Sequence, residues 1–123
     1  MLIQAGYGEV SRRQEGRPVM KIITICGSLK YEKEMMAAAE ELELSGNCVL
    51  SPIYPVRAGK EAYTAEELDI LGRMHKEKIR LSDAVYVVNV DNYIGSSTRS
   101  EIEFAQSLQK EVLYLVERGN QIR

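Results

Sequence analysis

Three nearly unbroken apolar runs constrain this chain more than any other feature. Lys21–Cys26 (KIITIC), Ala84–Val90 (AVYVVNV) and Val112–Val116 (VLYLV) are rich in β-branched residues and show no sustained apolar/polar alternation. A strand with one wet face alternates. A strand covered on both faces, as in a parallel sheet flanked by helices, does not. A shorter run, Asn47–Ser51 (NCVLS), stops at Pro52 and reads as one more strand.

Helical patterns separate these runs. Over Tyr31–Ser45, Met35, Met36, Ala39 and Leu42 fall on one stripe, and Gly46 supplies the stop. The Met pair reads as core. Thr64-Ala65-Glu66-Glu67 has the spacing of a capping box and opens a helix to about Leu81, with Leu68, Leu71, His75 and Ile79 facing inward. Thr98–Gln109 is the last full helix. The segment Pro52–Tyr63 is longer than the roughly 2–6 residues usual between a strand and a helix, which suggests a substrate-facing loop.

The resulting order is βαβαβαβ. Such units form a parallel sheet with right-handed crossovers and helices on both faces. We therefore expect an α/β, Rossmann-like or flavodoxin-like three-layer sandwich of four to five strands, in the order 2-1-3-4 with any fifth strand missing or very short. The domain spans residues 20–123. Residues 1–19 lack a sustained period, hold three Arg and two Glu, and read as a flexible extension or an upstream translation artefact, Met20 being a natural start.

In that strand order, ligands bind beyond the carboxyl ends of strands one and three, where the connections leave on opposite faces. Gly27-Ser28-Leu29-Lys30 and Asp91–Glu101 must meet there. Gly27-Ser28 is either a plain turn with a Ser cap or an anion-binding turn at a helix start. It is neither G-x-G-x-x-G nor a Walker loop. Gly95, Ser96, Ser97 and Thr98 can hydrogen-bond a phosphate or a sugar. Glu101 has two readings. It can close a capping box with Thr98, or it can face a sugar C1 carbon and stabilise or attack it as a glycosidic bond breaks. His75, the sole His, is either a packed core residue or a proton donor to a leaving base. Asn89 is placed to reach the crevice. Tyr54 and Tyr93 can stack on a base or simply pack. Asp83 reads as a turn residue.

Composition excludes several classes. A net charge of -2 argues against a partner that is a nucleic-acid polymer. No apolar run nears the roughly 18 residues of a membrane span, and the start lacks a signal-peptide pattern, so a cytoplasmic protein is expected. Cys26 and Cys48 sit in strand contexts and read as buried free thiols in a reducing compartment. With one His and no Cys cluster, neither a metal nor a cofactor is expected. A short sheet leaves edges to cover, which favours a homo-oligomer.

Three segments together resemble the nucleoside 2-deoxyribosyltransferase family and its relatives, the 2′-deoxynucleoside 5′-monophosphate N-glycosidases. They are Ile25-Cys26-Gly27-Ser28-Leu29, then Ser82-Asp83-Ala84-Val85-Tyr86-Val87-Val88, then Ser97-Thr98-Arg99-Ser100-Glu101-Ile102-Glu103-Phe104-Ala105. The likeness covers nearly all of Met20 to Val116. It implies cleavage or transfer at an N-glycosidic bond of a nucleoside or nucleotide, with Glu101 as the nucleophile that forms a covalent deoxyribosyl intermediate. Gly27, Ser28, Ser96 and Ser97 would line the sugar and any 5′-phosphate. Where the family carries an Asp, eight residues before the Asp that opens the third strand, this chain has His75. The alternative on the same fold is a non-catalytic nucleotide-binding or sensing module.

Overall fold

The computed structural model describes residues 20–117, so the reading of 1–19 lies outside the described residues. Its elements run β1 (Ile22–Gly27), α1 (Glu32–Leu44), β2 (Cys48–Leu50), α2 (Ala65–Leu81), β3 (Ala84–Val88), α3 (Ser96–Ser107) and β4 (Glu111–Tyr114). All strand pairs are parallel, in the order β2-β1-β3-β4. The expected four-stranded α/β fold is thus present. Among the described residues no helix is long and apolar enough to cross a membrane.

The lack of alternation in β1 and β3 has the expected cause: both faces are buried. Successive side chains point to opposite faces. Ile25 and Val88 pack with Met35 and Ala38 of α1. Cys26, Val85 and Val87 pack on the other face with Ile79 of α2 and with Ile102 and Ala105 of α3. Two half-cores therefore sandwich one sheet. The side chain of Asp83 accepts from the Ile22 amide at 2.8 Å and ties the start of β1 to the turn before β3, in keeping with its reading as a turn residue.

Several local expectations change. Met36 is 52% exposed, and the buried stripe of α1 centres on Met35 and Ala38, with Ala39 and Leu42 beside them. On α2, His75 and Ile79 are buried, but Leu68 is exposed and Leu71 only half-buried. The first half of α2 overhangs a cavity and not the core. Cys48 is exposed because β2 is an edge strand, whereas Cys26 is fully buried.

The largest change concerns the entry to α3. Asp91 and Asn92 adopt left-handed backbone (φ 53° and 62°), and the chain then packs Ile94 against the core. The helix starts at Ser96 with Gly95 as its N-cap, two residues earlier than the sequence pattern suggests. Thr98 is therefore inside the helix and buried, and it caps nothing. The other pattern of this type does form a capping box: Thr64 Oγ1 accepts from the Glu67 amide, and Glu67 Oε1 accepts from the Thr64 amide, both at 3.0 Å.

Candidate active site

A cavity of about 660 Å³ opens beyond the carboxyl ends of β1 and β3. This is the place that the strand order singles out. The turn after β1 contributes Gly27, Ser28 and Lys30, and the entry to α3 contributes Gly95, Ser96, Ser97 and Thr98. The long loop after β2 adds Ile53, Pro55 and Tyr63, and α2 adds Leu68, Leu71, Met74, His75 and Lys78. Glu101 lies one turn further along α3 and also lines it. Hydroxyls and amides from two turns thus share one space with an apolar wall.

Each part has a local cause. A Cβ on Gly27 would sit 3.0 Å from the Met35 sulfur and 3.2 Å from the Val88 carbonyl oxygen, tighter than ordinary contact, so the missing side chain lets β1 end close to β3 and α1. Ser28 caps the short turn Leu29–Tyr31, its Oγ accepting from the Lys30 amide at 3.3 Å. Lys30 Nζ then lies 4.0 Å from the centre of the Tyr93 ring, which meets Tyr31 edge-on. This contact joins the first and third loops at the cavity. Gly95 has no side chain to cap α3, and the first-turn amides of that helix lack intrahelical acceptors, which makes them attractive to an anion. Arg57 holds the long loop in place, pairing with Glu67 at 2.8 Å and donating to the Ala62 carbonyl at 3.1 Å. Lys78 Nζ donates to the Ser51 carbonyl at 2.6 Å, and burial pushes its pKa down.

Three side chains from three elements converge at the inner end. Cys26 Sγ of β1 is 3.7 Å from His75 Nε2 of α2, which is 3.7 Å from Glu101 Oε1 of α3. All three donor atoms lie within 4.8 Å of one another. Burial dominates the electrostatics. It raises the Glu101 carboxyl to about 7, against the smaller opposing pulls of the Cys26 thiol and Lys76. Burial, aided by Lys78, lowers His75 to about 4. Burial pushes the Cys26 thiol well up, with the Glu101 charge adding to it. His75 Nδ1 has no hydrogen-bond partner among the described residues.

The His75–Glu101 contact has ion-pair distance but not ion-pair charges. When Glu101 ionises, near pH 7, His75 is already neutral. When His75 gains its proton, near pH 4, Glu101 is neutral. Between about pH 4 and 7 the carboxyl group carries its proton and the imidazole is neutral.

The fold brings most of the expected residues together: Gly27, Ser28, Lys30, His75, Gly95, Ser96, Ser97 and Glu101 all line the cavity. It does not bring Asn89 or Tyr54 there. Asn89 is fully buried, and its amide accepts from Val116 N at 2.9 Å and donates to Val116 O at 3.1 Å, clamping the segment after β4. Tyr54 packs on the α1 side of the sheet with Ile25 and Met35. Among the described residues, Tyr63 and Tyr93 are the tyrosines that line the cavity. Cys26 is the addition that pattern alone did not mark for the site. Its place at the last buried position of β1, followed by Gly27, is the signal that could have found it.

In comparisons with known proteins, the chain matches no family model, and no curated protein matches it. What fold and site define is a Rossmann-like parallel α/β domain with a polar-and-apolar cavity at its topological switch point.

Proposed function

We propose that this domain cleaves or transfers the N-glycosidic bond of a nucleoside or its 5′-monophosphate, with Glu101 as the nucleophile. The observation that supports this most is the release of Glu101 from capping: its carboxyl group belongs to the cavity wall, partly desolvated, beside Cys26 and His75. A desolvated carboxylate is a stronger nucleophile than a hydrated one. The cavity size falls in the range of small-ligand sites. The apolar wall of Leu68, Leu71 and Met74 suits a base, and the amides and hydroxyls of Ser28, Ser96 and Ser97 suit a sugar or phosphate.

In this reading, a Glu101 oxygen bonds to C1′ as the C1′–N bond breaks, and the bonding pair leaves with the base, which takes its proton from solvent. Water, or a second base, then attacks C1′ and returns the carboxylate. His75 acts as a neutral neighbour that positions Glu101, since burial works against the imidazolium that a proton donor needs. The resemblance to nucleoside 2-deoxyribosyltransferases and deoxynucleotide N-glycosidases points the same way.

The test is a chromatographic screen of deoxy- and ribonucleosides and their monophosphates. Release of free base from at least one of them is expected. Thermal stabilisation by nucleotides with no product after long incubation would replace this reading with that of a non-catalytic nucleotide-binding module.

A further inference from the structure

We propose that Cys26, His75 and Glu101 form a three-ligand site for a thiophilic divalent cation, zinc being the best match, with its fourth position open to the cavity. This goes beyond the glycosidic reading and does not rest on it.

The donor set and its spacing carry the inference. Sγ, Nε2 and a Glu101 carboxylate oxygen come from three different elements and lie within 4.8 Å of one another. Zinc bonds of about 2.3 Å to sulfur and about 2.0–2.2 Å to nitrogen or oxygen, at tetrahedral angles, hold neighbouring donors roughly 3.3–3.6 Å apart. The S···N and N···O separations here are both 3.7 Å. A few tenths of an ångström of side-chain movement would bring these two pairs to zinc spacing, and the third pair, Sγ and the Glu101 carboxylate, lies within 4.8 Å. The backbone under each donor is regular: a central strand and two helices several turns long.

The chemistry narrows the choice of ion. Magnesium and calcium take oxygen ligands. One thiolate, one imidazole and one carboxylate select a softer ion. Three protein ligands with a vacant fourth direction is the pattern of reactive zinc sites. His75 and Glu101 both line the cavity, so a water or a substrate atom can complete the sphere, while Cys26 closes the site from behind. On loading, the thiol proton, and the carboxyl proton where present, pass to the buffer, and the sulfur and oxygen lone pairs bond to the ion. A cation there neutralises the carboxylate that a nucleophilic Glu101 needs. Zinc should therefore inhibit any base release, reversibly.

The test is a titration of the full chain, first treated with chelator, with Co²⁺ as the probe and Zn²⁺ as competitor. The expected result is one Co²⁺ per chain, a near-ultraviolet thiolate-to-cobalt absorption with visible tetrahedral bands, and their loss on adding Zn²⁺. The absorption should vanish in Cys26→Ser and persist in Cys48→Ser. Should Cys26→Ser fail to fold, His75→Gln decides the matter. Loss of a direct ligand should weaken binding by at least the roughly 10–100-fold seen for outer-shell changes. Wild-type protein without the thiolate band, or His75→Gln with undiminished affinity, would overturn the site. Because the readout is spectroscopic, it stands whether or not the chain proves to be a glycosidase.

Discussion

Between about pH 4 and 7, His75 Nε2 and Glu101 Oε1 face each other at 3.7 Å as two neutral groups, not as an ion pair, because burial raises the Glu101 titration and lowers that of His75. That relationship controls how stability depends on pH. Glu101 is raised from 4.5 to about 7, so its contribution is complete below about pH 4.5 and is lost as pH rises through 7. His75 is lowered from 6.5 to about 4, so its contribution is complete above about pH 6.5 and is lost as pH falls through 4. Between these limits the two slopes oppose each other. The charged and titratable groups facing the pair are Cys26 of β1 and Lys76 and Lys78 of α2. Chemical denaturation with chelator present should show the pair's effect nearly cancelled in wild type. Relative to wild type, Glu101→Gln should gain stability as pH rises from 4.5 to 7, and His75→Gln should lose it as pH rises from 4 to 6.5. Variant and wild-type curves that run parallel would mean that the pair is not desolvated as described.

Gly27→Ala should cost about 1–3 kcal/mol. The new Cβ would meet the Val88 carbonyl oxygen at 3.2 Å, and that backbone is held in the central strand pair. The Met35 sulfur, at 3.0 Å, is the more yielding neighbour. Urea denaturation would measure the loss, and an unchanged midpoint would show that β1 can shift away from β3.

Asn89→Ala should destabilise the fold by about 1–3 kcal/mol, because the fully buried Asn89 amide gives up two hydrogen bonds to the Val116 backbone, each worth about 0.5–1.5 kcal/mol. Ligand-induced thermal shifts should stay as in wild type when referred to the variant's own midpoint. A selective loss of ligand response would bring Asn89 back to the site.

Much of the architecture was legible, and the reasons are physical. Runs such as KIITIC that are apolar on both faces fit only a covered sheet, and helix-length crossovers between them impose parallel pairing. The inner site was harder to see. Cys26 joins it because β1 turns that side chain toward α2 and α3, and a strand buried on both faces has no alternation to reveal which side is which. The two Thr-x-x-Glu patterns look alike in sequence, yet only Thr64 caps. At Thr98 the left-handed pair Asp91-Asn92 and the burial of Ile94 bring the helix start forward to Ser96. Tertiary packing chose between two starts that local preference left nearly equal. Asn89 was misleading for a related reason: a polar residue at a strand end can face the crevice or satisfy a neighbouring backbone, and the partner, Val116, is 27 residues away.

Lys30→Met should leave stability within about 0.5 kcal/mol, the usual range for surface changes. Its Nζ rests over Tyr93 at the cavity, where a 5′-phosphate would meet it. The thermal shift produced by monophosphates should fall, and that produced by unphosphorylated nucleosides should not. Equal losses for both would assign Lys30 to loop packing.

The central claim is that Glu101 does covalent work at a sugar carbon. Its most direct test compares wild type with Glu101→Gln for base release from deoxynucleoside 5′-monophosphates, with chelator present. The account predicts release by wild type at a rate that rises as pH passes through about 7, where the carboxylate forms. It predicts a loss on the order of 10³-fold or more in the variant, which should remain folded and still be stabilised by nucleotides. Base release by Glu101→Gln at the wild-type rate would contradict it.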